Sequence, residues 1–101
     1  MRTDIDISIL TRDQAIGRVH GTLDFPVLPR IGERVTFSLP SIQSEGFNGQ
    51  LTVEHVVHAP GLDSRPMLLL SDVVASSRAQ AEIIAKSFER SYELTFDPYL
   101  P

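Results

Sequence analysis

The sequence predicts an α+β domain that is mainly β: an antiparallel barrel-like or strongly curved sheet of five to six strands, with one helix near the C-terminus. Three observations predict it. Apolar and polar residues alternate in Asp4-Ile-Asp-Ile-Ser-Ile-Leu10, and period two marks a half-buried strand. The stretch Leu23-Asp-Phe-Pro-Val-Leu-Pro-Arg-Ile-Gly-Glu-Arg-Val-Thr-Phe-Ser-Leu39 carries one alternating strand into two prolines and a glycine, and a second alternating strand leaves. After Ser77 the apolar spacing changes to that of a helix.

Each element follows in order. Ile5, Ile7 and Ile9 share one face of the first strand, and Thr11 to Gln14 reads as a turn. Ile16 to Phe25 forms the second strand, with Val19, Gly21, Leu23 and Phe25 in phase. Gly17 and Gly21 lie inside it, and interior glycines mark bulges or sharp bends. Pro26 and Pro29 end that strand, since proline cannot donate to a ladder. Val35, Phe37 and Leu39 face inward on a third strand that Pro40 stops. Ser41 to Gln50 is a polar loop with the turn pair Asn48-Gly49.

Leu51 to Val57 gives the fourth strand, closed off by Pro60-Gly61. After the polar segment Leu62 to Arg65, Met67 to Val74 gives the fifth. Its run Met67-Leu-Leu-Leu70 is apolar on both faces, as in a strand covered on both sides. Ser77 and Gln80 form a capping box, in which each side chain answers a free N–H of the first helical turn. Ala81, Ile84, Ala85 and Phe88 then make one stripe, extended by Tyr92 if the helix runs that far, with a supporting Glu82 to Lys86 pair. Tyr92 to Asp97 returns to period two until Pro98. Sequential strands tend to be neighbours, so strands two to five are expected to form an antiparallel meander, and the first and last strands to pair with each other.

The chain reads as a single small barrel-like domain over residues 1–101. Its net charge of −4 disfavours a plain nucleic-acid binder, which needs a cationic surface. Eight of the nine basic residues are arginine, a side chain suited to paired contacts with carboxylates. Cysteine is absent, which excludes disulfides and thiolate metal sites and fits a reducing compartment. The first residues lack a secretory pattern, and no apolar run approaches the roughly 20 residues of a membrane span. A cytoplasmic protein that makes no membrane contact is the expectation.

Pro29-Arg-Ile-Gly-Glu-Arg-Val35, together with the strands Leu51 to His58 and Met67 to Val74, resembles the small β-barrels of the Src-homology-3-like kind over about half the chain. The layout is also similar to small bacterial and phage proteins. The resemblance implies a binding role, because such barrels hold peptides, nucleic acids or other proteins, and it carries over no functional residue.

Chemistry-bearing constellations are sparse. His55 and His58 point to opposite faces of a strand, and His20 would have to join one of them to hold a metal. Ser71-Asp72 and the histidines lack the arrangement of a nucleophile with its base. No cofactor, metal or catalytic residue is therefore expected. The candidate binding residues are five. Phe47 lies in a loop and either contacts a partner or folds back on the rim. Ile83 is off the helical stripe. Arg30, Arg34 and Arg65 sit at the ends of turns, where they either form an anion-binding corner or pair with Glu33, Asp63 and Glu54.

These features point to a non-catalytic protein-interaction module that self-associates. The alternatives are a nucleic-acid-binding barrel and an acidic, phage-type inhibitor of a basic partner.

Overall fold

Strict alternation makes β1 (Arg2–Thr11) the middle of the molecule. Ile5, Ile7 and Ile9 are fully buried on one face, whereas Asp4, Asp6 and Ser8 are only half-buried on the other. The computed structural model describes residues 1–39, 47–61 and 64–99. The Pro40 stop, the Ser41–Gly46 part of the polar loop, Leu62, Asp63 and the last two residues lie outside them.

The other strands are β2 (Ala15–Asp24), β3 (Arg34–Thr36), β4 (Gln50–Val57), β5 (Met67–Leu70), β6 (Val73–Ala75) and β7 (Thr95–Pro98), with one helix, α1 (Arg78–Tyr92). They form a seven-stranded sheet ordered β3-β4-β5-β1-β2-β7, in which β6 also pairs with β1. The sheet is open, with β3 and β7 at its edges, so the curved-sheet form of the prediction holds and the closed barrel does not. Register shifts fall between Ile9 and Leu10, where Ile16 is the extra residue of β2, and between Val53 and His55 of β4. Such bulges increase the local twist.

The expected meander is only partly present. β4 pairs antiparallel with β3 and β5, and β1 pairs antiparallel with β2. However, β2 does not pair with β3, and β7 lies beside β2 rather than β1. β1 pairs in parallel with β5 and then β6. Pro26 and Pro29 prevent a tight hairpin after β2, so the chain crosses to the far edge before it pairs again. Three buried isoleucines also suit β1 to a central place. The expected fifth strand is two strands, because the Ser71 hydroxyl accepts the Thr52 amide proton at 2.9 Å and the Ser71 amide donates to the Thr52 carbonyl at 2.8 Å. The strand breaks there and resumes against the C-terminal half of β1.

The helix begins with the Ser77 half of the expected capping box, without the answering bond from the Gln80 side chain. Ser77 is the N-cap, and its hydroxyl accepts from the Gln80 amide at 3.1 Å. Ala81, Ile84, Ala85 and Phe88 are buried in the core with Ile5, Ile7, Ile9 and Val19. The helix keeps Tyr92, which the alternating pattern had also offered to the last strand, and ends at Glu93 in the left-handed conformation (φ 56°). The expected Glu82–Lys86 pair is replaced by Arg78 and Glu82 at 3.6 Å. No helix among the described residues is long and apolar enough to cross a membrane.

Candidate interaction surface

The connection from β2 to β3 folds into a fixed corner. Pro26 and Pro29 restrict its backbone. Gly32, at φ 90°, takes a left-handed turn that other residues resist. The Glu33 amide donates to the Arg30 carbonyl at 3.0 Å, and the Glu33 carboxylate accepts from the Arg30 amide. Two backbone bonds then tie the turn to β4: the Gly32 amide to the Val53 carbonyl at 2.8 Å, and the Val53 amide to the Glu33 carbonyl at 2.9 Å. Leu28 packs against the core. Its neighbours do not: Val27 is 78% exposed and Ile31 is 66% exposed.

Arg30 and Arg34 line a depression of about 430 Å³ with Val27, Leu28, Pro29 and Glu33. Arg65 lines an adjoining one of about 470 Å³ with Met1, Arg2, Leu28, His58, Ser64 and Pro66. Leu28 is common to both, so the three predicted arginines gather around one leucine. Arg30 stands 3.9 Å from Glu33, Arg2 stands 3.2 Å from Asp24, and Arg65 bonds Asp4 at 3.0 Å. Arg34 has no ion pair among the described residues. Exposed pairs of this kind contribute little stability and leave the arginines available to a partner.

A polar lattice covers the face of the sheet opposite the helix. Asp4 accepts from the Thr22 hydroxyl at 2.7 Å and from Arg65 Nε at 3.0 Å. The Thr22 hydrogen bond, followed by the Arg65 and Arg2 charges, holds its carboxyl below the usual carboxylate range. Arg18 Nε lies 3.6 Å from Asp6, and His20 Nε2 lies 2.6 Å from Asp97 Oδ2. Among the described residues, no three His, Asp or Glu side chains converge on a metal position.

The remaining predicted residues fall elsewhere. Phe47 is buried, 6.1 Å from the Phe88 ring between centroids, so it is not an exposed aromatic. The expectation of an aromatic contact at that tip gives way to packing, because the ring gains a buried partner beside the helix. Ile83 is 48% exposed on the outer side of α1. The sequence reading missed Val27 and Ile31. The available signal was an aliphatic residue next to Pro26 and another two places after Pro29, in a segment whose backbone the prolines restrict. The Asp4–Arg65 pair was also missed, since 61 residues separate the partners.

Fold and surface together define a mainly-β α+β domain with one helix-covered sheet face and an aliphatic–arginine corner. No family model matches the chain, and no significant match exists among curated proteins or solved structures.

Proposed function

We propose that this chain is a non-catalytic protein-interaction module that self-associates through the surface around the β2–β3 corner. The supporting observation is the exposure of Val27 and Ile31 on a backbone fixed by two prolines and two bonds to β4. An apolar contact presented by a rigid loop loses little entropy on docking. Arg30 and Arg34 border it, and arginine is enriched at protein interfaces. The partner surface is apolar with acidic groups at its rim. A second copy offers this chemistry, since the chain carries a net charge of −4. Sedimentation equilibrium over a wide concentration range tests the reading. Association should be reversible and should weaken in Val27→Asp and Ile31→Asp. A monomer at every concentration removes self-association.

A second reading rests on the same corner. Arg2, Arg30, Arg34, His58 and Arg65 border the two depressions, which suits a phosphate backbone. Oligonucleotide titration separates the two readings: nucleic-acid binding should weaken steeply with salt, and association through Val27 and Ile31 should not.

A further inference from the structure

Three segments of the chain meet where β1 begins. Val57, the last residue of β4, aligns with Met67, the first of β5, and Asp4 of β1 aligns with Met67 from the other side. The Asp4 amide also donates to the Pro66 carbonyl at 2.9 Å. His58, Arg65 and Arg2 flank these positions and line the same depression of about 470 Å³, with Leu28 and Pro66 among its apolar walls. No acid among the described residues lines it, although the chain has 13 aspartates and glutamates against nine lysines and arginines.

Arg65 is held from behind. Its Nε donates to Asp4 Oδ1 at 3.0 Å, and the same oxygen accepts from the Thr22 hydroxyl at 2.7 Å. A guanidinium bound through Nε keeps both terminal nitrogens available, and these have no partner among the described residues. Such a fork, fixed at its base, matches the oxygens of a phosphoryl group. Arg2 is only loosely engaged, by an exposed pair with Asp24 at 3.2 Å.

We infer that this depression binds a phosphoryl group, with Arg65 as its anchor, Arg2 and His58 as further donors, and Asp4 and Thr22 as positioning residues for Arg65. The inference rests on the phosphate chemistry of the second reading above and narrows it to one site. A single arginine fork satisfies a carboxylate, whereas donors from three chain segments suit the three oxygens of a phosphoryl group. Leu28 and Pro66 offer an apolar wall to whatever carries that group.

Nitrogen-15 NMR of the full chain tests the site with inorganic phosphate and with a short single-stranded oligonucleotide. Phosphate should shift the His58, Ser64 and Arg65 amides and the Arg65 Nε–H signal along one saturable curve. Arg65→Lys keeps the charge and loses the fork, and should weaken phosphate binding about tenfold. Asp4→Asn separates positioning from charge. Removing a nearby negative charge by itself strengthens anion binding, whereas losing the support of Arg65 weakens it, so weaker binding is expected. Thr22→Val, which keeps the Asp4 charge, should act in the same direction. The amide spectrum verifies that each variant remains folded. Unchanged or tighter binding in Asp4→Asn overturns the positioning role. Phosphate shifts that do not saturate, that centre elsewhere or that persist in Arg65→Lys overturn the site. If phosphate fails to bind while the oligonucleotide binds parent and Arg65→Lys alike, the site falls and the nucleic-acid reading stands. Phosphate binding without oligonucleotide binding removes that reading and supports the site for a small phosphorylated ligand.

Discussion

The Tyr92 hydroxyl accepts a hydrogen bond from the Ser38 backbone amide at 2.6 Å, although 54 residues separate them. The same ring meets Phe37 edge-on at 5.2 Å, and Phe37 meets Phe88 edge-on at 5.1 Å. The last turn of the helix thus supplies a partner for a backbone group that follows β3. Tyr92→Phe keeps the ring contacts and loses the bond, so chemical denaturation should show a loss of about 1 kcal/mol. Tyr92→Ala also removes the edge contact and should cost a further ~1–2 kcal/mol. Equal losses for the two variants would contradict this division of roles.

Neighbours on the helix should behave in opposite ways. Ile84 is 1% exposed and Ile83 is 48% exposed. Ile83→Glu should leave the melting midpoint close to the parent, a change within about 0.5 kcal/mol. Ile84→Glu buries an unpaired carboxylate and should abolish cooperative unfolding. Thermal scans followed by near-ultraviolet circular dichroism report both.

Asp4 links stability to acid. Its folded carboxyl is held below the ordinary value of 3.8, first by Thr22 and then by Arg65. A carboxyl of lowered pKa contributes in full above its unfolded value, and the contribution fades as pH falls through the folded one. The stability difference between the parent and Asp4→Asn should therefore be constant at neutral pH and shrink on acidification below about pH 4. Thr22→Val should cost about 1 kcal/mol at neutral pH and flatten the same acid limb. Urea titrations at several pH values decide it, and an unchanged difference at low pH counts against the assignment.

Gly17 marks where β7 docks. A Cβ there would stand 2.6 Å from the Asp97 carbonyl oxygen and 2.9 Å from Pro98 Cα, both backbone atoms with little room to yield. Gly17→Ala should cost about 1–3 kcal/mol through overpacking. The Tyr99 amide, which donates to the Ile16 carbonyl at 2.8 Å, should exchange faster with solvent in that variant. Unchanged protection of Tyr99 would show that the edge strand tolerates the methyl group.

Periodicity made some of this readable in advance. The isoleucines of β1, the Ser77 cap and the Ala81–Phe88 stripe are local patterns, and each fills the place its spacing implies. Strand neighbours are different, because alternation records which face is buried and not which strand lies alongside. The parallel pairing of β1 with β5 and β6 therefore left no trace in the spacing. The break at Ser71 depends on a bond to Thr52 in another strand. The arginine corner was legible as residue types at turn ends, whereas its convergence on Leu28 and the exposure of Val27 and Ile31 depend on the crossing path of the chain.

The central place of β1 bears on how the molecule comes into being at the ribosome. β1 emerges about sixty residues before its parallel companions, since Asp4 aligns with Met67 and Thr11 with Ala75. Such distant pairing slows folding, because loop closure comes before its reward. During synthesis Ile5, Ile7 and Ile9 have only the β2 hairpin alongside until β5 and β6 emerge, and no helix over their face until α1 is complete. The nascent chain passes through an interval in which its stickiest segment is bare, and there it is most vulnerable to aggregation.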